Sequence, residues 1–217
     1  MILGFSATAD VHAQTPNETN TTMAARGHIM LLKDGALLVR LQTRSRSLEG
    51  LIDRGMEDKA KELEERQRKE NLAYVEAFSL EFDFAPVYFF RSEDSKSVKE
   101  KRLDEVVFLT SELLLDSTIK VDQEIIYTAE FGNVEPDDSK RRQDYRLEKD
   151  STGLKQKSTY YGSANMGFEA LVIMDDQFVQ LRRPFPYYVR TYDKKGLFSR
   201  KPKDTVRRMN EKLYQFY

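Results

Sequence analysis

The clearest pattern in the chain is an alternation over Ala36–Gln42, where Leu37, Val39 and Leu41 fall on one side and Leu38, Arg40 and Gln42 on the other. Period two over seven residues predicts a half-buried strand. A second apolar run, His28–Leu32, precedes it across Lys33-Asp34-Gly35. An Asp-Gly pair between apolar runs predicts an N-terminal β-hairpin, because a two-residue turn of that type needs positive φ at its centre. After Thr43–Ser47 the period changes. Leu48, Leu51 and Ile52 predict a short helix closed by Gly55, and a longer helix follows over about 57–80, roughly 36 Å at 1.5 Å per residue. Its stripe is Met56, Ala60, Leu63, Gln67, Asn71, Tyr74 and Phe78, at three- and four-residue steps. Eleven of the fourteen residues from 57 to 70 are charged, so that half has a narrow seam. It is expected to pack on the short helix before it as a protruding αα-hairpin. Its charges read either as a solvated face laced with i,i+4 pairs or as an arm for a partner.

Phe84–Phe90 (FAPVYFF) is continuously apolar, which predicts that Val87–Phe90 is a strand buried on both faces and central in its sheet. Its exit, Arg91-Ser92-Glu93-Asp94-Ser95, is polar and suited to cap a short helix reaching Leu103. Val106–Leu109 and Ile125–Phe131 are further strand candidates. Residues 133–162 are almost wholly polar and read as an excursion or lid, with a marginal helix near Lys140–Lys149. Phe168–Met174 and Phe178–Leu181 form a hairpin about Asp175-Asp176, and Arg182–Pro186 interrupts it. A terminal helix starts at Lys203-Asp204, with Asp204 as N-cap and Val206, Met209, Leu213 and Phe216 as its stripe. The expected fold class is therefore α/β (or α+β): one domain over 27–217 with a mixed central sheet and flanking helices.

Composition narrows the chemistry. The 217 residues hold 35 Lys+Arg against 36 Asp+Glu, 24 aromatics, no Cys and two His. A chain this long buries roughly two-thirds of its unfolded surface, and near-zero net charge gives no global attraction for nucleic acid. Without Cys there is no disulfide, thiolate nucleophile, zinc finger or lipid anchor on sulfur. No apolar run approaches the roughly 20 residues that span a bilayer. Residues 1–9 are small and apolar, and Val11 and Ala13 occupy the −3 and −1 positions of a small-residue cleavage site before Gln14. Residues 1–13 thus read as a signal-peptide remnant without a basic start, and 14–26 as a flexible linker; the alternative is an unstructured cytosolic start. Cleavage would leave His28 as the only histidine, too little for a histidine-rich metal site, and its apolar setting suits a strand end better than a catalytic base. Mass spectrometry of the native protein is expected to find its N-terminus at Gln14; residues 1–13 in the mature product would overturn export.

Two resemblances follow from particular segments. DGALLVRLQTR (34–44), FAPVYFF (84–90) and ALVIMDDQFVQLRRPFPYYVR (170–190) are similar to an uncharacterised family of exported proteins from Bacteroidota-type bacteria. That resemblance implies export to the periplasm or beyond and brings no activity. The order helix, strand, short helix, strand, hairpin, helix resembles the thioredoxin-like fold. In that family a buried strand ends in the active-site loop and a Gly-x-Pro turn precedes the hairpin. The matching positions here are Val87–Phe90, the loop Arg91–Asp94, and Met166-Gly167-Phe168-Glu169-Ala170, with neither cysteine nor proline. The resemblance implies a fold without redox chemistry, so no catalytic residue carries over.

Gly162-Ser163-Ala164-Asn165-Met166-Gly167 spaces two glycines like a P-loop but lacks its Lys-Ser/Thr and precedes a strand. Asp175-Asp176 reads as a turn former rather than a metal site. The candidate binding residues are Arg91, Ser92, Glu93 and Asp94, since ligands of open α/β sheets sit beyond the carboxyl ends of strands. The alternative is an anion-binding strip, Arg182, Arg183, Tyr187, Tyr188 and Arg190. From 182 to 212, eleven Lys/Arg face three acids, although these bases also read as neutralising Asp122, Glu124, Glu130, Glu135, Asp137 and Asp138. The first functional expectation is a non-catalytic binding module of the cell envelope, with a protein or glycan partner and no cofactor, metal or nucleic acid. The second is a hydrolase of an envelope polymer using pairs from Glu93, Asp94, Glu130 and Asp175. A third is a cytosolic protein whose basic strip binds nucleic acid.

Overall fold

Residues 16–34 are the first place where tertiary packing overrides the local pattern. In the computed structural model, which describes residues 16–134, 143–150, 153–160, 168–191 and 200–217, the first element is a helix, α1 (Pro16–Asp34), and not the arm of a β-hairpin. The expected linker is helical from Pro16 onward as well, while the expected leader and a cleavage point before Gln14 lie outside the described residues. The reason is visible in burial. Ala25, Ile29 and Leu32, at helical spacing, are buried, whereas Met30 and Leu31 of the same apolar run are exposed. Asp34-Gly35 ends the helix instead of turning a hairpin.

Strand β1 (Ala36–Leu41) follows, then α2 (Ser45–Ile52) and α3 (Glu57–Glu81). Gly55 takes φ +69 in the turn between the two helices, so the expected αα-hairpin is present. Next come β2 (Val87–Arg91), α4 (Ser95–Lys99), and the two-residue strands β3 (Phe108–Leu109) and β4 (Leu115–Asp116). Strand β5 (Ile126–Asn133) precedes β6 (Gln143–Asp150) and β7 (Gly153–Tyr160). The last elements are β8 (Glu169–Met174), β9 (Tyr188–Arg190) and α5 (Pro202–Phe216).

The main sheet has seven strands in the order β4-β3-β2-β1-β5-β8-β9. Strand β1 is parallel to both neighbours, with Leu37 opposite Val87 on one side and Tyr127 on the other, and the outer pairs are antiparallel. The fold is thus α/β with a mixed sheet. Its centre is β1, not Val87–Phe90: β2 leaves Val87 and Tyr88 partly exposed, while Ala36–Val39 are fully buried. This order does not confirm a thioredoxin-like arrangement. Strands β6 and β7 pair antiparallel from Gln143–Tyr160 to Asp150–Gly153 in a sheet of their own, where a marginal helix was expected. Residues 178–181 contribute only a bridge, Met174 to Gln180, and the sheet's edge is β9.

Alternation along β1 divides the core. Leu37, Val39 and Leu41 pack with Ala25, Ile29, Val75, Phe78, Val206, Met209 and Leu213 of α1, α3 and α5. Ala36 and Leu38 face a smaller layer containing Phe90, Val98, Phe108 and Ile126. Helix α5 has no side-chain N-cap; Asp204 instead pairs with Arg207. Farther along it, Asn210 Oδ1 accepts the backbone amides of Asp83 and Phe84 at 3.3 and 3.1 Å, fixing α5 against the chain entering β2. In α3 the 57–70 half buries only Ala60 and Gln67. Its amides are therefore expected to exchange well before those of β1, measured by hydrogen exchange; equal protection would reveal a packing partner for that half.

Candidate functional site

Because β1, β2 and β5 are parallel, their carboxyl ends share one edge of the sheet. β8 starts and β9 ends at the same edge, and α5 begins beside it, Arg200 N donating to Thr191 O at 2.9 Å. Crossovers leave β1 and β2 there, so loops and a helix N-terminus converge with side chains that the sheet itself does not use.

The loop after β2 carries the expected residues Arg91, Ser92, Glu93 and Asp94, and it is bound to the loop after β1. Ser92 Oγ lies 2.9 Å from Thr43 Oγ1 and accepts the Thr43 amide at 3.3 Å. The Ser92 carbonyl accepts from Ser95 Oγ at 2.5 Å. Ser92 is therefore a fastener of the loops, while Arg91 and Glu93 line a cavity of about 370 Å³ with Thr43, Ser45 and Gln67. Ser45 Oγ donates to the Glu93 carboxylate. Burial opposes the charged form of Glu93, yet hydrogen bonds from Ser45 and Thr43, with the Arg91 charge, hold it below its ordinary value. Asp94 moves the other way: burial raises it, and Glu93 adds to that rise against the pull of Arg91. Arg91 Nε is 3.9 Å from Asp94 Oδ2, and both buried atoms lack a hydrogen-bond partner.

A second cavity, about 340 Å³, opens on the other side of Gln42 and Gln67, toward Tyr74, Phe131, Glu169 and the start of α5. Its wall is built on a chain of amides. Arg44 Nε donates to Gln67 Oε1 at 2.6 Å, Gln67 Nε2 to Asn71 Oδ1 at 3.1 Å, and Asn71 Nδ2 to the Gln42 carbonyl at 2.9 Å. Gln67 and Asn71 are 6% and 8% exposed, so the chain is both buried and satisfied. Arg44 has φ 54, a left-handed conformation that a non-glycine residue adopts at a cost. Tyr74 stacks on Phe131 at 4.0 Å and 8°. Burial, and after it Glu70 and Glu169, push the Tyr74 phenol up to about 12, so the stacked pair of rings presents no charge of its own. Arg44, Gln67 and Asn71 were not among the expected site residues. The available signal was two amides, Gln67 and Asn71, on the buried stripe of α3, where apolar side chains belong.

The other carboxylates lie apart from this edge or are already engaged. Glu130 accepts Arg40 Nε at 2.6 Å, and the Phe178 ring lies 5.2 Å from the Arg40 guanidinium. Asp175 stands at the opposite edge, where its Oδ1 accepts the amides of Gln177 and Val179 at 2.9 Å each. His28 sits on α1, not a strand end, with Nδ1 2.9 Å from the Tyr127 hydroxyl. The basic strip is divided. Arg182 is exposed, and Tyr187, largely buried, lines a cavity of about 430 Å³ with Arg183, Tyr188 and Lys212. Arg183 donates to the Tyr188 hydroxyl at 3.3 Å, while Tyr188 and Arg190 turn toward α5. Residues 162–167 are outside the described residues. Among the described residues, no helix is long and apolar enough to cross a membrane. Comparison with protein-family models, curated proteins and solved structures gives no match.

Proposed function

We propose that the protein is a non-catalytic binding module of the bacterial cell envelope, holding a small polar ligand with an anionic group at the carboxyl edge of its sheet. The observation that carries this reading is Arg44. Its backbone is in a disfavoured conformation and its guanidinium is anchored by a buried amide chain, an arrangement that core packing does not require. Arg44, Arg200, Lys201 and the first turn of α5 supply positive charge to the cavity, and Tyr74 and Phe131 give it an apolar wall. Glu70 and Glu169 on the same rim favour a ligand that also carries donors, such as a glycan fragment or a peptide end. The envelope assignment rests on the leader-like first 13 residues and on the resemblance to exported proteins.

The test is a thermal-shift and titration screen of the full chain against uronic acids, amino sugars and short peptides. A true ligand is expected to raise the melting temperature and to lose affinity at least about tenfold in Arg44→Ala, as for a hydrogen bond to a charged group. The unliganded variant should fold but melt several degrees below the parent, since alanine keeps the left-handed strain and leaves the buried Gln67 Oε1 without its donor. Arg91→Ala with Glu93→Ala should abolish binding of a ligand that extends across Gln42 into the neighbouring cavity, again without unfolding. Undiminished binding in all variants would move the site elsewhere.

A second reading, a carboxylate-dependent hydrolase, is favoured by the opposed shifts of Glu93 and Asp94, the pattern of an acid and base held side by side. Turnover of an envelope polymer that disappears in both Asp94→Asn and Glu93→Gln would support it. A cysteine-free thioredoxin-like protein remains a resemblance in element order.

A further inference from the structure

We propose that the hollow between the edge strand β9 and helix α5 is a separate binding site for a tetrahedral dianion, the phosphate group of a small monoester. Four cations from three segments line it: Arg190 at the end of β9, Arg200 ahead of α5, and Arg208 and Lys212 on α5. Arg208 and Lys212 are spaced i,i+4 and so share a face of the helix, while Val206, Met209 and Leu213 turn the opposite face into the core. Arg200 Nη1 donates to the Arg190 carbonyl at 2.7 Å, and Lys212 Nζ to the Tyr188 carbonyl at 3.3 Å. These bonds tie helix-side cations to the strand. The hollow is about 290 Å³, with Phe168 and Tyr188 as its wall, and no carboxylate is among its described lining residues.

This absence is local. Lys203 and Arg207 on the same helix pair with Glu81 and Asp204. Arg208 and Lys212 have no carboxylate partner among the described residues. Of the acids expected to be neutralised by the basic strip, Glu130 is held by Arg40, and Glu135, Asp137 and Asp138 lie outside the described residues. Burial, with Arg183, Arg200 and Arg208 nearby, holds the Lys212 ammonium below its ordinary value despite the favourable Tyr188 contact. Like charges gathered in a concavity repel, and a dianion relieves that repulsion as a monocarboxylate does not. Guanidinium forks match tetrahedral oxyanions in bidentate geometry. A nucleic-acid strand is disfavoured because its bases need open aromatic faces. Here the Arg190 guanidinium already lies 4.6 Å over the Phe168 ring, and Phe168 and Tyr188 are tilted together at 5.4 Å. Only Arg200 is shared with the cavity at the carboxyl edge, so the two sites can be tested apart.

The test is titration of the full chain by calorimetry with inorganic phosphate, sulfate, glucose 6-phosphate and acetate at constant ionic strength, in parent and in Arg208→Gln/Lys212→Gln. Phosphate or sulfate is expected to bind with one-to-one stoichiometry and acetate at least about tenfold more weakly, and the double variant should lose about a hundredfold, tenfold per charged hydrogen bond. Tighter binding of the sugar ester than of inorganic phosphate would identify an ester as the ligand, and equal binding a free oxyanion; both support the site. The variant removes like-charge repulsion but gives up the Lys212 bond to the Tyr188 carbonyl, so unliganded it should melt within a few degrees of the parent. Equal affinity in parent and variant, equal response to acetate, or binding that grows with oligonucleotide length would overturn the proposal. Arg44→Ala should leave this binding intact, so failure of the carboxyl-edge site and failure of this one are distinguishable.

Discussion

Phe78→Ala is expected to lower the melting temperature by about 10 °C, the larger of two strong stability effects. The Phe78 side chain is fully buried, and its ring meets those of Phe82, Phe89 and Phe131 at centroid distances of 5.5, 6.2 and 6.5 Å. It therefore joins α3 to the two strands that flank β1. Truncating a buried phenylalanine costs about 3–5 kcal/mol in lost transfer energy and cavity, and about 1 kcal/mol moves the melting temperature of a chain this size by about 2–4 °C. Leu80, two residues on, is 59% exposed, so Leu80→Ala should be nearly neutral. Thermal unfolding of the two variants checks which face of α3 meets the sheet; equal losses would contradict this packing.

Gly35→Ala should destabilise by about 1–3 kcal/mol, the range for forcing extra atoms into a packed site. A Cβ at Gly35 would stand 2.5 Å from the Ile125 carbonyl oxygen and 2.8 Å from that of Leu31. Both are backbone atoms. The Ile125 carbonyl also accepts the Ala36 amide at 2.9 Å, and it holds β1 to the start of β5. The Ile125 carbonyl cannot withdraw without disturbing the centre of the sheet, nor the Leu31 carbonyl without disturbing the end of α1. Gly27, inside α1, has nothing within 4 Å of its Cβ position, and Gly27→Ala should stabilise by about 0.5–1 kcal/mol as a helix-interior replacement. The opposite signs are the check, read by chemical denaturation. A destabilising Gly27→Ala would argue that residues 28–32 are not helical.

These glycines also show where sequence reading stopped. Asp34-Gly35 between apolar runs has the local signature of a hairpin, but the glycine is needed for close backbone approach and the aspartate closes a helix. A five-residue apolar run does not distinguish strand from helix; only the partner that buries Ile29 and Leu32 does. At the candidate site, the place of Arg91–Asp94 at the carboxyl edge was legible because a polar segment leaves an apolar strand there. Arg44 was not legible, because its role depends on Gln67 and Asn71 of a helix that returns over the same edge. In the basic segment, the charge was legible and its grouping was not: the residues that converge with Arg190 lie ten to twenty-two positions later.

What the sequence determined by itself is periodicity and chemical inventory. The two faces of β1, the αα-hairpin, the stripes of α3 and α5, and the absence of thiol chemistry all follow from spacings of one to four residues or from composition. The tertiary structure alone decided that β1 lies between β2 and β5, that residues 16–34 are helical, and which polar side chains meet. The physical reason is range. Local pattern states that a face must be buried, whereas the partner that buries it is chosen by packing and backbone pairing across tens of residues, which no local spacing encodes.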